Sequence, residues 1–390
     1  MSQDYIAVPQ GRRRGVASVP FSKSHLHRLL IADFLAGGRM YLEDLGRSAD
    51  IQATRRCLKA LAEARGSQAV PVLDCGESGS TLRFMLPLAM ALVGSAEFTA
   101  AGRLPERPVA PFIEILARHG VMQESKPGAF PLRLSGRLSP GAFSVQVNIS
   151  SQIVTGLLFS LPLLDGDSTI QCTAPLESRG YIDMTMDALA AYGVEVHENN
   201  GAFRIPGRQR YSAGTVPEPE LDWSGAAFWL AMNALGSKIS VPGLNPLSRQ
   251  PDMAIRDMAG GWQNPVDVSQ CPDLFPVLAV LAAARDGRSV FTGVRRLRLK
   301  ESDRLAAMVD MLKRLGVDAS MEENAFAVEG RGLPLRGGVE INSFNDHRIA
   351  MAAAVAATVA DAPICIQGPE CVSKSYPGFF EQLSAMEIIR

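Results

Sequence analysis

Three stretches, "ILARHGVMQESKPGAF" (115–130), "ALAAYGVEVHENNGAF" (188–203) and "MLKRLGVDASMEENAF" (311–326), decide how the chain is to be read. Each places Leu four residues before a Gly, Val directly after that Gly, and Ala-Phe nine and ten residues after it. The anchors are Leu116, Gly120, Ala129 and Phe130, then Leu189, Gly193, Ala202 and Phe203, then Leu312, Gly316, Ala325 and Phe326. The end of an amphipathic helix, a Gly C-cap, a strand, a polar turn and a returning strand account for this spacing. The interval from Gly193 to Gly316 leaves room for one more copy, weakly visible as "AIRDMAGG" (254–261) with its hairpin cut short. Weak copies around Leu58 to Gly66 and in "FFEQLSAMEIIR" (379–390) bring the number to six units of ~60 residues. Six units in 390 residues suggest an α/β protein of two domains with three units each.

Each unit needs a second helix, and the apolar segments after Ser24, Ser80, Ser151, Ser224, Asp273 and Asp346 supply six. They are apolar on nearly every face, as helices inside a domain are. Each opens on a small polar cluster: "SKSHLHR" (22–28), "GESGSTLR" (76–83), "SSQ" (150–152), "DWSG" (222–225), "CPD" (271–273) and "NDHR" (345–348). A helix N-terminus offers unpaired N–H groups and a positive dipole end, so simple N-capping explains the hydroxyls and carboxylates. It does not explain Lys23, Arg28, Arg83 and Arg348, because cations oppose the dipole there. An external anion would offset that repulsion. The densest polar segment is "LRLKESDRL" (297–305), where Lys300 beside Glu301 is either a surface ion pair or, in an anion-filled cleft, a proton donor and acceptor. Arg103 and Arg107 flank a Pro-containing turn in "GRLPERP", His25 and His27 read as packing or solvated residues, and the triple arginine at 12–14 reads as a solvated turn.

Composition narrows the partners. Lys+Arg 39 against Asp+Glu 40 gives a net charge of −1, which argues against a polyelectrolyte nucleic-acid binder. Seven lysines leave 32 arginines, and guanidinium forks suit carboxylate and phosphate. Three of the seven, Lys23, Lys300 and Lys374, lie in polar clusters. The six cysteines form no C-x-x-C pair and have no His at ligand spacing, so no metal site, and reduced thiols, are expected. No apolar run reaches the ~18–20 residues of a bilayer span, and the polar start has no signal-peptide core. A cytoplasmic protein is expected.

In motif order, "SKSHLHRLL", "DCGESGSTLR", "GRLPERP", "SSQIVTGLL", "ESRGYIDMT", "DWSGAAFWL", "LKESDRL", "FNDHRIAM" and "CVSKSYPGFFEQL" resemble the 5-enolpyruvylshikimate-3-phosphate (EPSP) synthase family over nearly the whole chain. The resemblance implies the enolpyruvyl transferase fold: a two-domain, inside-out α/β barrel of six helix-plus-hairpin repeats, one shortened. Residues 1–19 plus 222–390 would form one domain and 20–221 an inserted one, with the active site in the cleft between them. It also implies transfer of the enolpyruvyl group of phosphoenolpyruvate to the 5-hydroxyl of shikimate-3-phosphate, without a cofactor and by a monomer. Carried over residue by residue, Lys23, Ser24, Arg28, Ser150, Ser151, Gln152, Ser178, Tyr181, Asp273 and Lys300 would hold shikimate-3-phosphate. Lys23, Gly79, Arg103, Gln152, Arg304, Arg348 and Lys374 would hold phosphoenolpyruvate. Asp273, Glu301, Lys300 and Lys23 would be catalytic. The chain departs from the family's commoner pattern at Glu77, Arg296, Arg179-Gly180 and the trimmed hairpin near Gly260.

Two other readings share some of these features. A UDP-sugar enolpyruvyl transferase would share the fold, but commonly carries a Cys in the loop equivalent to "GRLPERP", and no Cys lies between Cys75 and Cys172. A non-catalytic binder of anions or RNA ends would show a basic groove and stacking aromatics. Aromatic residues make up only 6% of the chain, and Lys300, Glu301 and Asp273 are all present.

Overall fold

The repeat anchors are helix-ending hydrogen bonds. In a computed structural model, which describes residues 5–389 apart from 44, 147–150, 175, 213, 215 and 216, the Val after each anchor Gly donates its N–H to the Leu carbonyl five residues back. The distances are 3.2 Å for Val121 to Leu116, 3.0 Å for Val194 to Leu189 and 2.9 Å for Val317 to Leu312. Each Gly N–H bonds in turn to the carbonyl three residues before it. This is the Schellman closure, which requires a left-handed residue and an apolar contact between its first and last members. Gly120, Gly193 and Gly316 have φ of +89°, +72° and +80°, and the Leu and Val partners are buried.

The chain divides into two units, Met1–Ser22 with Glu220–Arg390, and Lys23–Pro219. Unit two holds α1 (Lys23–Leu35), α2 (Ala49–Ala64), α3 (Gly79–Leu92), α4 (Ala110–Ala117), α5 (Gln152–Ser160) and α6 (Arg179–Ala191). Unit one holds α7 (Trp223–Ala234), α8 (Ile255–Met258), α9 (Phe275–Ala283), α10 (Arg304–Arg314), α11 (His347–Ala357) and α12 (Phe379–Ala385). The odd-numbered helices are the more deeply buried ones. Every residue of α9 and α11 is buried, so these helices form cores rather than cover them. Each unit has a core of its own.

Three four-stranded sheets share one topology. In unit two, Val72–Asp74 runs parallel to Ser95–Thr99, which pairs antiparallel with Leu132–Ser135 and through it with Met122–Gln123. The same order recurs as Ala142–Val145, Ser168–Cys172, Ala202–Ile205 and His197–Asn199. Unit one repeats it with Val266–Asp267, Asp286–Thr292, Ala325–Arg331 and Asp318–Met321. The returning strand in the first copy starts later than the anchors suggest. Pro131 follows Phe130 and has no N–H to give, so pairing begins at Leu132.

Around Gly260 there is a four-residue helix and no hairpin; the chain passes directly to Val266–Asp267. The strand Lys238–Ser240, at the edge of a three-stranded sheet with Arg12–Val16 and Glu387–Ile389, is closed instead by Asn233. Its side-chain amide takes both the C=O and the N–H of Ile239, each at 2.8 Å, which leaves the edge less open to another strand. The triple arginine is not a solvated turn. It lies in the strand Arg12–Val16, whose alternation turns Arg13 inward to 3% exposure, with its guanidinium on the carbonyls of Pro9 and Gly11.

Two glycine substitutions separate backbone strain from collision. A Cβ at Gly316 would meet nothing closer than 3.5 Å, whereas one at Gly136 would lie 2.1 Å from the carbonyl oxygen of Gly120. Gly316→Ala is expected to lose about 1–2 kcal/mol, the left-handed penalty alone. Gly136→Ala should lose more, with both values read from denaturant unfolding.

Candidate functional site

In unit one, helix starts bring a cationic cluster and its carboxylates together. Asp303 caps α10 by accepting from Leu305 and Ala306 N–H, both at 3.1 Å, and so fixes Arg304 as the first helical residue. Asp346 caps α11 by accepting from Arg348 N–H at 3.0 Å. Phe344 and Asn345 before it have φ of +51° and +54°, a strained approach of the kind found at functional sites. The Arg304 side chain, 1% exposed, donates from Nε to Asp346 Oδ2 at 2.8 Å. It donates from Nη1 to Asp273 Oδ1 and from Nη2 to Glu301 Oε2, both at 2.7 Å. Asp273, in the turn before α9, also receives Lys300 Nζ at 3.3 Å and Arg348 Nη2 at 2.9 Å. Lys374 Nζ donates to the Asn345 carbonyl at 2.6 Å. The structure thus gathers Asp273, Lys300, Glu301, Arg304 and Arg348, with Lys374 at the neighbouring turn.

The charges shift accordingly. Burial alone would push the Asp273 carboxyl up, but Arg348, Lys300 and Arg304 outweigh it and hold the group well below the usual carboxylate range. Asp346 is likewise lowered against burial by Arg304. Burial lowers the Lys300 ammonium despite the pull of Asp273, which brings its proton closer to transferable. Asp252 accepts from the Ser224 hydroxyl, and burial together with the nearby Asp273 charge pushes it up to about 6.

Unit two builds a second cluster from α1, α2, α3, α5 and α6. Lys23 Nζ pairs with Asp50 Oδ2 at 2.8 Å. Arg28, 3% exposed, donates to Thr185 Oγ1 at 2.9 Å, the Tyr181 carbonyl at 2.8 Å, Thr155 Oγ1 at 3.4 Å and the Ser24 carbonyl. Burial with neutral acceptors lowers its pKa to about 10. Gln152 starts α5, accepting from Arg83 Nη1 at 3.1 Å and donating to Ser80 Oγ at 2.9 Å. Ser151 precedes it and is buried, and Ser150 lies outside the described residues. Ser178 precedes α6 with φ +57°, a left-handed serine at 3% exposure whose carbonyl accepts from Tyr181 N–H.

Gly79 is where two guanidiniums converge. A Cβ there would lie 2.5 Å from Arg83 Nη1 and 2.6 Å from Arg107 Nη1. Arg103 instead pairs with Glu106 at 3.2 Å and is 44% exposed. Glu77 leans over Gly102 of the same loop, 2.5 Å from where a Cβ would stand. Sequence reading picked Arg103 from a turn that carries both arginines; the i to i+4 relation between Gly79 and Arg83 was the signal for the other partner. The carboxylates Asp50 and Asp346 were also missed as partners, since nothing in their local sequence names a cation 27 or 42 residues away.

The family model for EPSP synthase (3-phosphoshikimate 1-carboxyvinyltransferase) matches residues 8–263 and 260–383. The chain is 38% identical over 416 aligned residues to a 3-phosphoshikimate 1-carboxyvinyltransferase of Clostridium kluyveri, covering 98% of this chain and 97% of that one. It is 37% identical to its counterpart in Clostridioides difficile, with 95% of each covered. Among solved structures, an EPSP synthase of Acinetobacter baumannii superposes with a TM-score of 0.75 at 24% identity over 99% of both chains. The enolpyruvyl transferase NikO of Streptomyces tendae gives 0.73 at 16% identity over 99% of this chain and 98% of that one. These likenesses share the mixed α/β fold. No helix among the described residues is long and apolar enough to cross a membrane.

Removing one member of the buried ion network exposes its cost. Asp346→Ala strips Arg304 Nε, Ser302 Oγ and the α11 start of their acceptor, and should lower unfolding stability by about 3–5 kcal/mol. Because Asp346 is depressed, its contribution is complete above the ordinary carboxyl value near pH ~4 and is lost as pH falls through the folded value. Denaturant unfolding should therefore show wild type and Asp346→Asn converging in acid.

Proposed function

The chain belongs to the EPSP synthase (3-phosphoshikimate 1-carboxyvinyltransferase) family, and from that premise we propose how its two side-chain clusters divide the work. The activity is transfer of the enolpyruvyl group of phosphoenolpyruvate to shikimate-3-phosphate with release of phosphate, a transferase step of aromatic amino acid biosynthesis. Neither the UDP-sugar reading nor the non-catalytic one is favoured by any relative named above.

Addition places a proton on the enolpyruvyl methylene and joins the shikimate 5-oxygen to C2, giving a tetrahedral ketal. Elimination removes a methyl proton and breaks the C2–O bond to phosphate. Glu301 and Lys300 serve as the proton-transfer pair, adjacent in sequence and both in contact with the cluster around Asp273 and Arg304. Asp273 accepts from the shikimate hydroxyl that attacks. Three cations share this carboxylate before substrate arrives. Anionic groups that draw off Arg348 and Lys300 would restore part of its basicity, so binding itself would raise the reactivity of the base. Lys23, Gln152, Arg304, Arg348 and Lys374 take the carboxylate and phosphate of phosphoenolpyruvate. At Gly79 the guanidinium in place for that role is Arg107's rather than Arg103's. Ser24, Ser150, Ser151, Ser178 and Tyr181 serve shikimate-3-phosphate. Arg28 joins them with its remaining Nη1 donor, while its other donors orient the Ser24 and Tyr181 backbone that flanks that ligand.

The observation that carries this reading is the Arg304 network, in which one buried cation holds Asp273 and Glu301 at once. The family also supports the finer architecture: six repeats, three per unit in an inside-out α/β barrel, the one at Gly260 trimmed. The enzyme is proposed to act in the cytoplasm as a monomer, with no cofactor and no nucleic-acid partner.

Purified protein given both substrates should release phosphate, and no release from a folded protein would overturn the reading. Glu301→Gln should reduce kcat by about 10²- to 10⁴-fold, and Lys23→Met should abolish phosphate release with the fold intact by circular dichroism. Gly79→Ala pushes a methyl against Arg83 and Arg107. Initial-rate kinetics should then show a raised KM for phosphoenolpyruvate at a nearly unchanged KM for shikimate-3-phosphate.

A further inference from the structure

A line of buried polar groups in unit two takes no part in the chemistry above. His27 on α1, Thr54 on α2, and Ser78 and Thr81 at the start of α3 are each 1% exposed or less. His27 Nδ1 lies 2.7 Å from Thr54 Oγ1, and Thr54 Oγ1 lies 2.7 Å from Thr81 Oγ1. Thr81 Oγ1 donates to Ser78 Oγ at 2.8 Å, and Ser78 Oγ also accepts Thr81 N–H at 3.2 Å as the N-cap of α3. The Asp50 carbonyl, 3.4 Å from Thr81 Oγ1, is a second and weaker acceptor for that same hydroxyl proton. Ser78 is the residue before Gly79, and the Asp50 carboxylate holds Lys23 Nζ.

Proton accounting gives this line a direction. Each hydroxyl has a single proton. With Thr81 donating to Ser78, Thr54 donates to Thr81, and His27 supplies an N–H from Nδ1. Burial, and then the charges of Lys23 and Arg28, hold the imidazole neutral, well below its ordinary value. In that arrangement its one proton sits on Nδ1. Nε2 is left as a bare acceptor, buried and without a hydrogen-bond partner among the described residues. A core that tolerates such an acceptor gains little stability from the line, since apolar side chains of the same shape can replace paired polar groups at small cost. What the line supplies is a single geometry for the elements it joins.

We propose that the His27–Thr54–Thr81–Ser78 line is a positioning device for the phosphoenolpyruvate side of the site. One end sets the backbone at Gly79, and its weaker contact to Asp50 sets the ammonium of Lys23. Both groups then meet the anion already aimed, without reorganisation on binding. The inference rests on the assignment of Gly79 and Lys23 to phosphoenolpyruvate made above.

Thr54→Val removes the central hydroxyl at nearly constant volume, and Thr54→Ser keeps it. Thr54→Val should raise the KM for phosphoenolpyruvate about fivefold or more, the worth of roughly one hydrogen bond. The KM for shikimate-3-phosphate should stay within about twofold, with Thr54→Ser restoring the wild-type value. In parallel, hydrogen exchange of the amides at 78–82 should quicken in Thr54→Val and recover in Thr54→Ser. His27→Phe, cut at the far end of the line, should quicken the same amides, and it serves as the test if Thr54→Val does not fold. An unchanged KM for phosphoenolpyruvate, an equal rise for both substrates, or unchanged exchange would overturn the proposal. A wild type that turns nothing over would instead overturn the assignment of function, and the exchange comparison would still decide the positioning role.

Discussion

A guanidinium removed from water keeps its charge only if carboxylates replace the solvent, and Arg304 is the residue on which unit one depends for that reason. Its three partners come from the starts of three different segments: Asp273 before α9, Glu301 before α10 and Asp346 at the cap of α11. A single buried cation thereby fixes where three helix N-termini point. All three of those termini also carry candidate substrate ligands: Asp273, Arg304 and Arg348. Breaking the network costs more than it contributes to stability relative to an apolar core, so its presence is better explained by the geometry it imposes. In the proposed mechanism the same network makes Asp273 a restrained base at rest. Of the cations that lower it, Arg348 and Lys300 are those that the proposed anionic substrates would draw away.

Unit two meets the same requirement with neutral groups. Arg28 is buried among hydroxyl and carbonyl oxygens of α1, α5 and α6, and its lowered pKa reflects how much less such acceptors offset desolvation than a carboxylate does. The hydroxyl line from His27 to Ser78 joins α1, α2 and α3 in a similar way. The buried guanidinium of one unit is held by paired charge and that of the other by hydrogen-bonded dipoles. Both devices aim polar groups at helix N-termini, where backbone N–H groups favour an anion.

The fold was legible in sequence wherever a local hydrogen bond dictated residue type. Leu, Gly and Val recur because a Schellman closure needs an apolar pair around a left-handed residue, and a Gly satisfies that at any copy. The buried helices were legible because no polar face had to be kept. Arg13 was not, since three arginines in a row read as a solvated turn until strand alternation turned the middle one inward. At the site, capping carboxylates and basic residues stood out by position, but their pairing did not. Lys23 with Asp50, and Arg304 with Asp346, join residues that only tertiary structure brings together. The choice between Arg103 and Arg107 likewise turned on which side chain the loop folds over Gly79, a matter of backbone direction rather than of residue type.

The charge state of the Arg304 network is the most direct test. Carboxyl-carbon NMR titration of Asp273 and Asp346, with each signal assigned by its Asp→Asn variant, reads it without turnover. Both groups should titrate below the ordinary carboxylate range, and Asp273 should move up when both substrates or their inert analogues are bound. A ligand-free Asp273 that titrates at or above the ordinary aspartate value would contradict the account, because the cations would then not be holding it.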